Sequence, residues 1–132
     1  MVCIYCSGQT RVINSRPQKR LHQTWRRRTC VDCGAMFTTN ESIDFGTSVT
    51  VRQENGRLRP FNRDELFMSV YRAVGHRERP ITDAAALTST ITSKLLSGAD
   101  AALKPNDITK ATLAVLKRFD RAAAVQYAAY HK

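Results

Sequence analysis

Apolar residues are unevenly distributed along this chain. Up to about residue 45, outside the cysteine segments, they are sparse and without a regular period, as at Val12-Ile13, Trp25 and Phe37 among polar and basic residues. Beyond that point they fall into regular periods. Ser48-Val49-Thr50-Val51-Arg52 alternates and predicts a strand. Asn55-Gly56 predicts a two-residue hairpin turn, and Arg57-Leu58-Arg59-Pro60-Phe61 the returning strand, with Pro60 ending the pairing.

Helical spacing follows. Asn62 is placed as an N-cap, and Glu65 three positions later completes a capping-box spacing. Leu66, Phe67, Val70, Tyr71 and Val74 form a stripe, with Gly75 as the stop. After Pro80, Thr82-Asp83 opens a second helix whose stripe is Leu87, Ile91, Leu95 and Leu96, closed by Gly98. Pro105-Asn106-Asp107 opens a third with Ile108, Thr112, Val115, Leu116 and Phe119 on one face, and a last piece spans residues 122–130 with Val125 and Tyr127 inward. Such stripes are the mark of a packed core rather than a cofactor site. Residues 42–46 read as a linker, dividing the chain into domains at 1–44 and 45–132.

Charge changes the picture of the first domain. The chain carries 21 Lys/Arg against 11 Asp/Glu, a formal net charge of +10, so a polyanion is the natural partner. Residues 1–40 hold seven Lys/Arg and a single acidic residue, Asp32. A segment this polar cannot bury enough apolar surface to fold unaided, and a metal would supply the missing free energy. No apolar run reaches a membrane span, and Met1-Val2-Cys3 leaves no room for a signal peptide, so a reducing cytoplasm is expected.

The metal ligands are the four cysteines, in two pairs: Cys3-Ile4-Tyr5-Cys6 and Cys30-Val31-Asp32-Cys33. Each pair sets two sulfurs at the tip of a tight turn, and two turns supply the thiolates of one tetrahedral Zn2+ per chain. Ser7-Gly8 and Gly34 suit backbone amides that turn back toward the sulfurs. A redox CxxC occurs once beside a βαβ pattern, which is absent here, and disulfides are the other alternative. Val12-Ile13, Trp25 and Phe37 are the expected apolar cover of the site. Arg26-Arg27-Arg28 precedes the second pair, while Arg16, Lys19 and Arg20 lie between the knuckles; guanidinium groups so placed suit phosphate. A solvated charge run is the bland alternative. The isolated His22, His76 and His131 suggest no catalytic grouping, so no enzyme is expected; His76 is expected at a helix C-terminus.

These motifs in order carry a resemblance. The CxxC, Val12-Ile13-Asn14-Ser15-Arg16, Arg26-Arg27-Arg28-Thr29-Cys30-x-x-Cys33-Gly34 and Phe37-Thr38-Thr39-x-Glu41 resemble the zinc ribbon of the NrdR repressors. Arg57-Leu58-Arg59-Pro60-Phe61-Asn62 resembles the start of that family's ATP-cone domain, and the stretches at 116–120 and 125–130 match its final part in kind. The implied fold is a small zinc ribbon of short β hairpins followed by an α-helical ATP-cone domain, a β hairpin plus about four helices. The implied function is a bacterial, cytoplasmic and nucleoid-associated repressor of ribonucleotide reductase genes. It would bind double-stranded DNA at paired operator boxes as a homo-oligomer, with ATP and dATP as regulatory ligands of the cone. Residue by residue, Cys3, Cys6, Cys30 and Cys33 match zinc ligands. Arg16, Arg26, Arg27 and Arg28, with Lys19 beside them, fall on the DNA-facing surface. Val51, Gly56, Phe61 and Asn62 match the nucleotide-binding hairpin and first helix, where Arg52, Gln53, Arg57 and Arg59 are neighbours.

The sequence also departs from that family. Gln53 and Glu54 stand where a Lys-Arg pair is usual, Glu65 where a Lys is common, Arg59 where a Glu precedes Pro-Phe, and Met36 where Arg precedes Phe-Thr-Thr. Carboxylates near a triphosphate add repulsion, which Arg52, Arg57, Arg59 and Arg63 would have to offset. A ribbon with a degenerate cone that serves only for oligomerisation is therefore the second reading. An accessory module of a reductase is a third, disfavoured because no catalytic domain is joined to it.

Overall fold

The computed structural model describes residues 1–98 and 102–131. They form two compact units, Met1–Ile43 and Asp44–Lys132. The first is a three-stranded antiparallel sheet in the order β1-β2-β3, made of β1 (Thr10–Gln18), β2 (Gln23–Cys30) and β3 (Met36–Ser42). A 3-10 turn at Lys19–Leu21 joins β1 to β2, and His22 closes it with a φ of 52°. A bulge at Ile13 breaks the β1–β2 register between Val12↔Arg28 and Asn14↔Arg27. Its buried apolar cluster is no more than Cys3, Cys30 and Phe37, with Ala35 packed beside it. Val12 and Ile13 are exposed, and Trp25 sits half-buried opposite Arg16 and Asn40, so Phe37 alone of the expected cover reaches the cysteines. The reason is register: Trp25 lies on the face of β2 opposite to that of Cys30.

The second unit is built from helices on a small sheet. Its elements are α1 (Phe45–Ser48), β4 (Thr50–Arg52), β5 (Leu58–Pro60), α2 (Arg63–Ala73), α3 (Pro80–Ser97), β6 (Ala102–Leu103), α4 (Pro105–Phe119) and α5 (Arg121–Tyr130). The sheet order is β5-β4-β6, antiparallel between β4 and β5 and parallel between β4 and β6. Most of the stripes expected from the sequence make the core: Val51, Leu66, Val70, Val74, Leu87, Ile91, Leu95, Val115, Leu116 and Tyr127 are all buried, whereas Phe119, expected on the inner face of α4, is exposed with Arg77 over its ring. Thr88 and Thr112 join them because their hydroxyls donate to the carbonyls of Ala84 and Ile108 at 2.7 Å.

Several local expectations give way to packing. The linker is partly structured: Ser42 ends β3, and Phe45 begins α1 and packs on Phe61 with ring centroids 5.6 Å apart. The hairpin loop has three residues, Glu54-Asn55-Gly56. Gly56 donates to the Gln53 carbonyl at 2.9 Å and takes the loop's only positive φ, 83°, whereas a two-residue turn at Asn55-Gly56 needs both residues there. Pairing continues past Pro60, since Phe61 N–H donates to Val49 O at 3.0 Å; a proline is tolerated because β5 is an edge strand. Pro80 itself opens α3 at its first turn. Asn62 caps α2 as expected, accepting from Asp64 and Glu65 N–H at 2.9 and 3.2 Å, but the Glu65 carboxylate turns to Arg59. Val125 points to solvent at 71% exposure, because Ala123, Ala124 and Tyr127 take the inner face of α5.

Candidate metal centre, basic sheet face and cleft

The two CxxC segments fold as near copies. Cys3 N–H donates to Gly8 O at 2.8 Å and Cys30 N–H to Ala35 O at 2.9 Å; Ser7 N–H returns to Cys3 O at 3.0 Å and Gly34 N–H to Cys30 O at 3.2 Å. Ser7 and Gly34, each just past the second cysteine, take positive φ of 63° and 73°. At Gly8 the Asp32 carboxylate lies 2.2 Å from where a Cβ would stand, so a side chain there would have to displace that exposed carboxylate.

The four Sγ atoms lie within 4.8 Å of one another, with Cys3–Cys33 at 3.8 Å and Cys6–Cys30 at 3.5 Å. Bonded sulfurs sit about 2.05 Å apart. Thiolates around zinc, with Zn–S near 2.3 Å, sit roughly 3.8 Å apart. Backbone N–H groups already point at the sulfurs: Tyr5 at Cys3, and both Asp32 and Cys33 at Cys30, each at 3.4 Å. The residues fit Zn2+. The Cys33 amide, helped by that of Asp32, holds Cys30 down to about 7 against burial. The Gly8 amide pulls Cys6 down, but the Cys30, Cys33 and Cys3 thiols together with burial outweigh it and push Cys6 up to about 12. Four sulfurs this close cannot all ionise without a cation among them, and a divalent ion makes them thiolates together.

Register sorts the ribbon's basic residues onto two faces. Residues paired across antiparallel strands share a face, and alternate residues switch. Trp25, Arg27 and Thr29 lie on one side of β2 with Arg16, Asn14 and Arg11 from β1. There Arg16 lies 6.0 Å from the Trp25 ring centroid, and Arg27 donates to Thr38 Oγ1 at 3.3 Å. Lys19 is exposed in the turn at the far end of the hairpin. Arg26 and Arg28 lie on the other side with Cys30. Arg26 is paired with Glu41, and Arg28 donates to Thr10 Oγ1 at 3.4 Å. Sequence reasoning passed over Arg11, whose place beside Arg27 and Arg16 depends on the bulge at Ile13.

In the second unit, a cleft of about 210 Å³ lies beneath the hairpin. Four residues expected at a nucleotide site line it: Val51, Arg59, Phe61 and Asn62. The other four do not. Arg52 follows Val51 on the strand and so faces away, while Gln53, Gly56 and Arg57 are exposed at the turn. Glu65, the carboxylate the sequence sets near this site, lines it too, and residues the sequence did not suggest complete the wall: Ser69, Ile108, Thr109, Tyr127 and His131. The Tyr127 and His131 rings stack 4.0 Å apart. Arg59 pairs with Glu65 at 3.4 Å, so a carboxylate sits beside the arginine that lines the cleft. His76 lies just past the C-terminus of α2, and its ring meets Asp120 at 2.9 Å, the residue that ends α4 and caps the N-terminus of α5.

Comparison with known proteins agrees with this layout. Residues 1–41 match the family model described as transcriptional repressor NrdR-like, N-terminal domain. Relatives named transcriptional repressor NrdR align with the whole chain. The one from Symbiobacterium thermophilum is 33% identical over 132 residues and is covered to 87% of its length. That from Methylobacterium sp. (strain 4-46) is 37% identical and covered to 71%, and that from Heliobacterium modesticaldum is 30% identical and covered to 87%. No helix among the described residues is long and apolar enough to cross a membrane. A four-cysteine cluster at the end of a basic three-stranded ribbon, and similarity at this level over the whole of this chain, place it in the NrdR family.

Proposed function

We propose that this protein is a zinc-dependent transcriptional repressor that binds double-stranded DNA through its ribbon and is controlled by adenine nucleotides and self-association through its helical unit. The observation that carries the reading is the sheet face on which Arg11, Arg16 and Arg27 surround Trp25. Guanidinium groups on a rigid sheet suit phosphate oxygens, and Thr38 and Asn14 offer further hydrogen bonds between them. The repressor names of the relatives and the net charge of +10 point the same way. Ribonucleotide reductase genes are the proposed targets. Paired operator boxes call for paired ribbons, hence a homo-oligomer.

For the helical unit, the reading places ATP or dATP in the cleft lined by Val51, Arg59, Phe61 and Asn62, with Arg52, Gln53, Gly56 and Arg57 forming the hairpin above it. Regulation then requires two assemblies that bind the nucleotides unequally. One observation favours the second reading, a cone that serves assembly alone: Glu65 stands in the cleft and already engages Arg59. Calorimetry of the zinc-loaded, nucleotide-stripped protein with ATP and dATP separates the two. Micromolar or tighter binding, with a different oligomer for each nucleotide, is the expected result; no heat with either, while DNA still binds, makes the unit an assembly domain. In the same preparation Arg27→Ala is expected to weaken DNA binding and reduce its salt slope by about one. An unchanged slope would remove this face from the interface.

A further inference from the structure

The three consecutive arginines look alike in sequence, yet the third has different surroundings. Arg28 is half-buried between Val12 on β1 and Phe37 on β3, its partners in register. Phe37 belongs to the buried cluster with Cys3 and Cys30. The Arg28 guanidinium leans along the sheet to Thr10 Oγ1, and Thr10 is the residue paired with Cys30. The side chain therefore runs toward the cysteine end, on the same face as the buried ligand. Its Nε is fully buried and has no hydrogen-bond partner. An arginine aimed at duplex DNA would gain nothing from this burial.

A divalent zinc held by four thiolates leaves the centre with two net negative charges, and a fixed cation nearby stabilises the thiolate form. We propose that Arg28 is a positioning residue of the metal centre, the counter-charge to its tetrathiolate, rather than part of the DNA-binding face. The division of labour follows from strand alternation: Arg27 faces out beside Trp25, while its neighbour faces the metal end. The inference rests on zinc occupying the four cysteines and is independent of the nucleotide reading.

The test compares wild type, Arg28→Met and Arg28→Lys as zinc-loaded full-length protein. Zinc transfer to a chromogenic chelator gives the release rate, and titration with double-stranded DNA at several salt concentrations gives the slope. Wild-type zinc stoichiometry reports on the centre itself, and the ratio of rates between variants reports on Arg28. Methionine keeps the apolar stem without the charge, so Arg28→Met is expected to release zinc about tenfold faster. Arg28→Lys should stay close to wild type, because it restores the cation. The salt slope of zinc-loaded Arg28→Met should equal that of wild type. Release from Arg28→Met at the wild-type rate, or from Arg28→Lys as fast as from Arg28→Met, overturns the counter-charge role. A slope lowered by about one returns Arg28 to the DNA surface.

Discussion

Ser7 and Gly34 occupy equivalent places in the two knuckles, and only one of them is a glycine. Left-handed backbone costs a residue with a side chain roughly 1–2 kcal/mol, partly offset by the chain entropy that glycine loses on folding. Ser7→Gly is therefore expected to stabilise the zinc-loaded ribbon by up to about 1 kcal/mol, and Gly34→Ala to destabilise it by a similar amount. Thermal melting followed at Trp25 checks both, and a shift in the same direction for the two would contradict the shared geometry. The cysteines and Gly34 were legible in the sequence because their chemistry is local: spacing alone puts sulfurs and turn together. The roles of Arg26, Arg27 and Arg28 were not. Adjacent residues on a strand point to opposite faces, and nothing in a run of three arginines says which face holds the metal.

Helix ends show a similar limit at the next scale. The stripe of α4 and the position of α5 were readable from periodicity, but Asp120, which joins them, was not singled out. Its carboxylate caps α5, accepting from Ala122 and Ala123 N–H at 2.9 and 3.3 Å, and it meets both His76 and Arg77 at 2.9 Å. Arg77 also binds Asp83 at 2.8 Å and lies 4.3 Å over the Phe119 ring. These partners are far apart in sequence, so only tertiary structure brings them together. The hydrogen bond from His76, then that from Arg77, holds Asp120 well below the usual carboxylate range. A folded-state value below the unfolded one favours folding once the unfolded carboxylate is ionised. That contribution is complete above about pH 4–5 and is lost as pH falls toward the depressed folded value. Asp120→Asn keeps a capping oxygen and removes the charge. The variant is expected to melt lower than wild type at neutral pH, with a gap that begins to narrow below about pH 4 and closes only as pH approaches the depressed folded value. Parallel melting curves across that range would show that the charge is immaterial to stability.

At the level of the whole chain, the two units hold themselves together by different means. The ribbon's buried cluster has two cysteines in it, whereas the helical unit has a continuous apolar core of its own. Cys30→Ser is expected to lose zinc, unfold the ribbon and abolish DNA binding while the helical unit retains its cooperative melt. Circular dichroism with metal analysis checks this, and stoichiometric zinc with full DNA affinity in the variant would sink it. The division near residue 44 was visible as a change in hydrophobic period. The cleft was only half visible, because Ile108, Thr109, Tyr127 and His131 reach it from helices distant in sequence. The same distance governs how the helical unit assembles. Its central strand β4 pairs on one side with the nearby β5, but its other edge waits for Ala102 and Leu103 to arrive in parallel. A hairpin closes over a few residues, whereas this pairing must first close a loop that contains both α2 and α3, so it belongs to a late step in folding. A chain released from the ribosome before those residues would expose an unpaired strand edge beside Val51, a template for aggregation.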